Sequence, residues 1–189
     1  VNWPAAAGLV WMAGALLVLA RLLVGTLALW RKARRAAPVA EDSWNDLLAA
    51  LEERLGLTRK VALLRADHAT MPMTWGRWRP AILLPAAADR WGPELRRNVL
   101  LHELAHVKRQ DSSTLVLARL ACSLYWFHPL VWIAVRELTK ESERACDDQV
   151  LRQGARASDY AAHLLEIARS LRPAGSASWA TVAMALRSP

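Results

Sequence analysis

Cysteine is scarce in this sequence. Cys122 and Cys146 are the only two among 189 residues, too few for the disulfide framework of a small secreted domain. We expect both to be buried, reduced thiols that pack like small apolar side chains. Charged residues make up only 22% of the chain and hydrophobic residues make up 54%. This balance excludes disorder for most of the chain, because disorder requires low hydrophobicity and high net charge.

Tryptophan and positive charge are abundant. The chain has 10 Trp, and its 25 Lys and Arg against 17 Asp and Glu give a net charge of +8. Indole rings are enriched at membrane interfaces, where the ring is buried and its N–H meets a polar group. A basic balance is typical of proteins that meet nucleic acid or an anionic membrane surface. The charge alone does not distinguish these partners.

A long apolar segment opens the chain. Residues 3–30 carry one charged side chain, Arg21, and a helix of about 20 apolar residues can cross a bilayer. A cleaved signal peptide fits less well, because the basic cluster at 31–35 follows the apolar run instead of preceding it. Basic residues mark the cytoplasmic end of a span. We therefore predict a transmembrane helix with a basic cytoplasmic flank over residues 1–35.

A small β element is predicted after a short amphipathic helix over 41–55. Residues 61–65 and 81–85 are apolar and β-prone, and we expect them to form a β-hairpin. Because prolines flank 81–85 and proline cannot donate to a ladder, we place this strand at an edge. An extended substrate could then pair with it, which makes Ile82, Leu83 and Leu84 candidate substrate-binding residues.

The pattern from residue 93 to about 171 is helical almost throughout. It predicts a helix over 93–109, an apolar helical hairpin over 113–136 that breaks at Pro129, and a helix over 137–151. The predicted domain boundaries are 36–172 for one folded domain and 173–189 for a linker or truncated tail.

Residues 102–106 read HELAH, an HExxH motif on the predicted helix over 93–109. Histidines four residues apart lie on one face of a helix, so His102 and His106 can bind one Zn²⁺ together. Glu103 lies nearby and can take a proton from the water on the metal. We therefore predict two metal ligands and a general base in this motif.

A catalytic zinc site usually has three protein ligands and an open position for water. Glu143 is the best candidate for the third ligand, and Glu141 is its nearest rival. Asp147 lies one helical turn after Glu143, where it can accept a hydrogen bond from the outer nitrogen of a ligating histidine. The alternative interpretation is that 140–148 is a solvated, charged helix face.

The membrane limits how these residues can meet. If 113–136 crossed the bilayer once, His106 and Glu143 would lie on opposite sides and could not share a metal. We therefore expect the segment to enter and return at Pro129, since the residue before a proline resists helix. A buried core helix is the alternative. Tyr125, Arg109 and His128 are candidates for the donor that stabilises an oxyanion.

Several motifs together resemble a known family. HELAHVKRQD, WFHPLVW and ESERACDDQVL, with PMTWGRWRPAILLP upstream, are similar to the integral-membrane zinc metallopeptidases of the BlaR/MecR antirepressor type. The resemblance covers roughly residues 10–171. It implies a mainly α fold with a small β-hairpin or sheet (α+β, zincin-like). The fold would be membrane-embedded, with one transmembrane helix and a membrane-associated helical hairpin.

The resemblance also implies the roles of the site residues and the partners. It implies one Zn²⁺ bound by His102, His106 and Glu143, with Glu103 as general base and Asp147 as a supporting partner, facing the cytoplasm. The substrate would be a cytoplasmic protein, a DNA-binding repressor or the protease itself. A sensor domain beyond this chain, contacts with membrane lipids and an oligomer are compatible with the family, whereas direct binding of nucleic acid is not expected.

Two alternatives stay open. A membrane zinc protease for quality control or for processing prenylated proteins shares HExxH and a downstream glutamate, although the WFHPLVW and ERACDD stretches disfavour it. A non-catalytic membrane signalling module belongs to another class of function. The intact Glu103 argues against the module, because a structural zinc site needs no base.

Overall fold

The computed structural model describes residues 2–66 and 71–170, and the predicted tail over 173–189 lies outside them. The described chain is mainly helical, with one small mixed sheet. Its elements, in chain order, are α1 (Trp3–Arg35), β1 (Ala37–Pro38), α2 (Asp42–Leu55), β2 (Ala62–Arg65), β3 (Met73–Trp75), β4 (Ala81–Leu84), a 3₁₀ helix (Ala86–Arg90), α3 (Pro93–Arg109), α4 (Asp111–Leu124), α5 (Pro129–Arg152) and α6 (Ala157–Ser170).

Among the described residues, α1 alone is long and apolar enough to cross a membrane by length and composition. None of its most apolar window is buried inside the structure. A helix that is apolar all round is normally covered by lipid or by other protein. Helix α1 is therefore a candidate span by these criteria.

The sheet corrects the predicted strand pairing. Its order is β1-β2-β4-β3. Strands β2 and β4 are parallel, whereas β3 is antiparallel to β4. The predicted hairpin between 61–65 and 81–85 is therefore wrong: the hairpin joins β3 to β4 through Gly76. Gly76 has φ 89° and lies against the Arg79 carbonyl, so only glycine fits this turn.

The predicted edge position of the 81–85 strand is also wrong. Ile82, Leu83 and Leu84 are 0%, 1% and 0% exposed, and β4 is paired on both sides. Pro80 and Pro85 lie just outside β4, where a missing N–H removes no ladder bond. These leucine and isoleucine side chains belong to the core and cannot meet a substrate. The edge strands are β1 and β3.

The core lies between this sheet and helices α2 and α3. Trp44 of α2 and Leu100, Leu101 and Leu104 of α3 are 0% exposed. Helix α2 ends, as its sequence predicts, at Gly56, which has the left-handed conformation of a C-cap. This core anchors one face of α3 and leaves the opposite face to meet α5.

Helices α4 and α5 form a hairpin that returns toward α3. Gln110, at φ 58°, turns the chain sharply between α3 and α4, and α5 begins at Pro129 after a short turn. The return brings Glu143 of α5 beside His102 and His106 of α3. Helix α5 is continuous to Arg152, so the predicted separate helix over 137–151 is its second half.

Helix α1 packs against the turn of this hairpin. The Trp11 indole donates to the Leu124 carbonyl at 3.0 Å, and the Trp126 indole donates to the Trp11 carbonyl at 3.0 Å. Gly14 gives the Trp126 ring the space it occupies, since a Cβ there would overlap the ring. The outer surface of the hairpin stays apolar and exposed, with Leu117 at 65% and Leu130 at 62%.

This packing predicts opposite effects for two similar substitutions. Gly14→Ala should lower the free energy of unfolding by about 1–3 kcal/mol, because the new methyl group displaces the hydrogen-bonded Trp126 ring. Gly8→Ala should be neutral or should stabilise by up to ~1 kcal/mol, since nothing beyond its chain neighbours and its own helix backbone lies within 4 Å of its Cβ position. Denaturation of both variants in detergent measures the difference, and equal effects would contradict the packing.

Candidate metal centre

Helix α3 presents both histidines of the HExxH motif to α5. Its apolar face is held by the core, so His102 and His106 lie on the side that remains, with side chains 16% and 12% exposed. Glu103 is 6% exposed. The motif is therefore largely shielded from water but opens on one side, as a reactive site requires.

Three side chains from two helices converge at this opening. His102 Nε2 lies 3.3 Å from His106 Nε2, 3.6 Å from Glu143 Oε2, and His106 Nε2 lies 3.9 Å from Glu143 Oε1. Tetrahedral zinc with bonds of about 2.0–2.1 Å requires ligand atoms roughly 3.4 Å apart. Two imidazole nitrogens and one carboxylate oxygen at these distances could hold such an ion, so the residues fit the metal.

Asp147 and Tyr160 hold the outer nitrogen of His102. Asp147 Oδ1 and the Tyr160 hydroxyl each lie 3.1 Å from His102 Nδ1. The Tyr160 hydroxyl in turn donates to Asp147 at 2.7 Å. Tyr160 comes from α6, so this contact joins a third helix to the site. No local signal in the sequence could have identified Tyr160, because only the packing of α6 brings it here.

The charge around His102 is strongly negative. Burial lowers the pKa of His102, but hydrogen bonds to Asp147 and Glu143, together with the nearby Glu103, outweigh burial and raise the pKa to about 10. Burial raises the pKa of Asp147, but its hydrogen bonds from His102 and Tyr160 lower the pKa below its ordinary value. A site that draws a proton so strongly also favours a cation in its place.

Asp111 holds His106 in a similar way. Its Oδ2 lies 2.9 Å from His106 Nδ1, and Arg109 donates to the same oxygen at 3.2 Å. Burial raises the pKa of Asp111, but hydrogen bonds from His106 and Ser142 lower it overall. Asp111 is not among the site residues predicted from the sequence. A carboxylate just after the second histidine was the available signal, since ligating histidines usually donate their other N–H to such a group.

Thr74 fixes the carboxylate of Glu103. Its hydroxyl donates to Glu103 Oε2 at 2.7 Å. Thr74 lies on the edge strand β3, which runs beside α3. Thr74 is not among the predicted site residues, because its contact with Glu103 depends on a strand pairing that was predicted wrongly.

Other candidate ligands are less well placed. The side chain of Glu141 is 63% exposed and pairs with Arg144 on the outer face of α5, so it lies outside the converging group. Cys146 lies 3.3 Å from His106 Nδ1 and, with Asp111, forms a second group of metal-ligand type. Burial raises the pKa of the Cys146 thiol well above its ordinary value.

Both cysteines are free and buried, as predicted. The suggested oxyanion donors are not placed for that role. Tyr125 and His128 lie at the far end of the hairpin, roughly 20 Å from Glu143 at the ~1.5 Å rise per residue of a helix. His128 caps α5 by accepting from the Leu130 N–H, and Arg109 contacts Asp111.

Comparison with known proteins identifies a peptidase family. A sequence model of the BlaR1 peptidase M56 family matches residues 2–188. Regulatory protein BlaR1 of Bacillus licheniformis is 32% identical over 143 residues, 76% of this chain and 24% of that protein. The methicillin resistance mecR1 proteins of Staphylococcus aureus and Staphylococcus epidermidis are each 25% identical over 152 residues, 76% of this chain and 25% of theirs.

The chain thus spans about a quarter of the length of these relatives. The family model, in contrast, covers nearly all of the chain, including the helices that carry the converging side chains. The resemblance seen in the motifs is confirmed: this chain belongs to the BlaR1 peptidase M56 family.

Proposed function

We propose that the chain is the catalytic part of a membrane-bound zinc metalloendopeptidase. The observation that carries the proposal is the convergence of His102, His106 and Glu143, whose ligand atoms all lie within 4.8 Å of one another. The adjacent Glu103 supplies the base that a purely structural zinc site would not need. Membership of a peptidase family supports the same reaction class.

His102, His106 and Glu143 are the proposed zinc ligands. Zinc held there would supply a Lewis acid for the scissile carbonyl and would lower the pKa of the attacking water toward ~7. The protein's part is to orient the imidazoles and to fix which ring nitrogen carries the hydrogen. Asp147 and Tyr160 do this for His102, and Asp111 does it for His106, by accepting the N–H on the nitrogen that faces away from the ligand position.

Glu103 is the proposed general base and acid. It removes a proton from the attacking water and returns it to the leaving amine. The Thr74 hydroxyl occupies Oε2 of this carboxylate at 2.7 Å, which leaves Oε1 for the proton. Burial of Glu103 among apolar side chains strengthens these interactions, because the local dielectric is low.

The outer edge of β3 is the proposed binding surface for the substrate backbone, and the Thr74 carbonyl accepts there from the Ser112 hydroxyl at 3.4 Å. This edge takes the place of Ile82, Leu83 and Leu84 as the candidate substrate-binding surface, because those side chains are buried. Strand β3 is paired only with β4 among the described strands, and Thr74 places it directly beside Glu103. A peptide added to this edge gains main-chain hydrogen bonds independent of its sequence and passes the reactive carboxylate.

The proposed location is a cell membrane, with the site on the cytoplasmic side. Helix α1 has the length of a span, and the basic cluster 31–35 at its C-terminal end marks the cytoplasmic face. The exposed apolar surface of the α4–α5 hairpin, packed beside α1, would enter the lipid and return. That path keeps His106 and Glu143 on one side of the bilayer.

The proposed biological role is signal-transducing antirepressor proteolysis. The relatives are named as a regulatory protein and as methicillin resistance proteins, which favours a DNA-binding repressor or the protein itself as substrate over misfolded or prenylated membrane proteins. A sensor domain outside the quarter of the relatives' length that this chain spans would supply the stimulus. Comparing the cleavage rate of a repressor-like protein with that of a misfolded membrane protein distinguishes these roles.

Glu103→Gln tests the catalytic assignment. The variant should bind zinc as the parent does and lose at least ~10²-fold in peptide hydrolysis, since removing a general base typically costs 10²–10⁴-fold. Metal content and cleavage of a peptide pool are measured on the detergent-solubilised chain. Full activity in the variant would refute the role of Glu103, and absence of zinc from folded parent protein would favour the non-catalytic signalling module.

Glu143→Ala tests the third ligand, with Glu141→Ala as the matched control. The first change should reduce zinc from about one ion per chain to a small fraction, because only two protein ligands remain. The second should leave zinc content unchanged, since Glu141 faces solvent. Zinc titration against a chelator measures both, and loss of zinc in the control alone would move the ligand to Glu141.

Asp111→Ala tests the support of His106, with the exposed Asp148→Ala as its control. Loss of the 2.9 Å contact should weaken zinc binding about 10–100-fold. The Asp148 side chain is 61% exposed and pairs only loosely with Arg152, at 3.9 Å, so its removal should leave zinc affinity unchanged. Competition titrations at fixed pH measure both constants, and equal affinities would remove Asp111 from the site.

A further inference from the structure

The turn between β3 and β4 carries the most exposed large apolar side chain in the described part of the protein. Trp78 is 77% exposed, and Arg77 and Arg79 flank it in the sequence. Arg59 and Lys60 directly precede β2, and the strand register places them at the same end of the sheet as this turn. We call these five residues the tip surface.

Two guanidinium groups hold the Trp78 ring from the protein side. Those of Arg59 and Arg77 lie 5.7 Å and 5.4 Å from the centre of the ring, within the range of cation–π attraction. Arg59 also donates to the Arg77 carbonyl at 2.6 Å, so it ties the segment before β2 to the turn after β3. The ring is therefore held in position while most of its surface stays uncovered.

Positive charge dominates the tip surface. The segment 71–88 contains no Asp or Glu. Glu52 and Glu53 of α2 border the surface, but Glu52 is buried and is held by Lys60 at 3.3 Å and by the Val61 N–H at 2.7 Å. An outward-facing tryptophan within a basic surface fits an anionic membrane, because indole rings favour the interface and basic side chains are attracted to anionic headgroups.

The tip surface lies toward the C-terminal end of α3. Met71, before β3, lines a cleft together with Leu95 near the start of α3. Thr74 then contacts Glu103 at 2.7 Å, and its carbonyl accepts from Ser112, past the end of α3, at 3.4 Å. Strand β3 therefore runs in the direction of α3, and the turn that follows it continues toward the C-terminal end of that helix.

The apolar α4–α5 hairpin extends beyond the same end of α3. Arg97, near the start of α3, donates to the Gln153 carbonyl just after α5 at 2.7 Å, whereas Cys146 lies 3.3 Å from His106 near the end of α3. Helix α5 thus runs antiparallel to α3, so its first half and the turn before Pro129 project past the C-terminal end of α3. The tip surface and the exposed apolar hairpin accordingly face the same side of the molecule.

We propose that the tip surface is a further membrane contact, which seats Trp78 at the headgroup level of an anionic lipid bilayer. The inference rests on the proposed membrane location and adds a lipid class to it. Helix α1 and the α4–α5 hairpin hold the chain in the bilayer, and the tip surface fixes its tilt. Because the turn directly follows β3, the docked tip presents the proposed substrate edge close to the membrane surface.

Fluorine NMR of the full chain in lipid nanodiscs tests this contact. The tryptophans are replaced by fluorotryptophan, and loss of a signal in Trp78→Phe identifies the Trp78 resonance. In discs that contain phosphatidylglycerol, a spin label at the lipid headgroup should broaden this resonance and a water-soluble gadolinium chelate should leave it sharp. In phosphatidylcholine alone, the chelate should broaden it. Broadening by the chelate in both lipids would overturn the proposal, as would broadening by neither agent, which would indicate a protein segment over the ring.

A charge variant tests the choice of an anionic lipid. Arg79→Gln should lower the ratio of docked to undocked tip about fivefold in phosphatidylglycerol discs, the effect of one basic residue near an anionic surface. Arg152→Gln is the matched control, because this side chain is 73% exposed and lies at the end of α5 remote from the hairpin turn. It should leave the ratio unchanged. Equal effects of the two changes would mean attraction by net charge alone and would overturn the role of the tip surface.

Two other tryptophans in the same spectra distinguish failure of this contact from failure of the proposed location. Trp11 of α1 should be broadened by a spin label on the lipid acyl chain if α1 lies in the bilayer. Trp44 is 0% exposed in the core, so it should stay sharp throughout, and its chemical shift reports whether each variant is folded. Broadening of Trp11 without Trp78 would overturn the tip contact alone, whereas broadening of neither would refute the membrane location as well.

Discussion

The candidate metal centre requires three ligand atoms to lie within bonding distance of one metal ion. His102 and His106 are on α3, whereas Glu143 is on α5, beyond the turn of the apolar hairpin. Histidines one turn apart on α3 meet the first half of this requirement by helix geometry alone. The second half depends on α4 and α5 returning, so that Glu143 arrives opposite them at 3.6–3.9 Å. The turn at Gln110, the break before Pro129 and the core that holds α3 all serve this single meeting. A hairpin that failed to return would leave two histidines and no site.

Sequence patterns were most informative where chemistry is local. Helical spacing identifies the HExxH face. The expectation of a third protein ligand points to Glu143, which the structure brings to the same place. Patterns failed where long-range pairing decides. The parallel pairing of β2 with β4 buries Ile82, Leu83 and Leu84. An apolar run flanked by prolines has the same sequence pattern at the centre of a sheet as at its edge. Thr74 and Tyr160 reach the site only through that sheet and through α6, so no spacing in the sequence marks them.

The exposed apolar hairpin and the candidate metal centre share a helix. Asp111, which holds His106, is the first residue of α4, and the same helix continues into the apolar hairpin whose turn packs on α1. Packed interfaces shift between discrete arrangements instead of deforming smoothly. The contact of Asp111 with His106 and the packing of the hairpin turn on α1 are thus joined through one continuous helix.

Helix α6 borders the candidate metal centre from the other side. Its Tyr160 hydroxyl contacts both Asp147 and His102, while His163 and Leu164, one turn further on, line a cleft beside that histidine. Because helical residues three and four apart share a face, these contacts follow from the spacing of the three residues and need no separate element. The packing of α6 and the orientation of His102 are consequently parts of one arrangement.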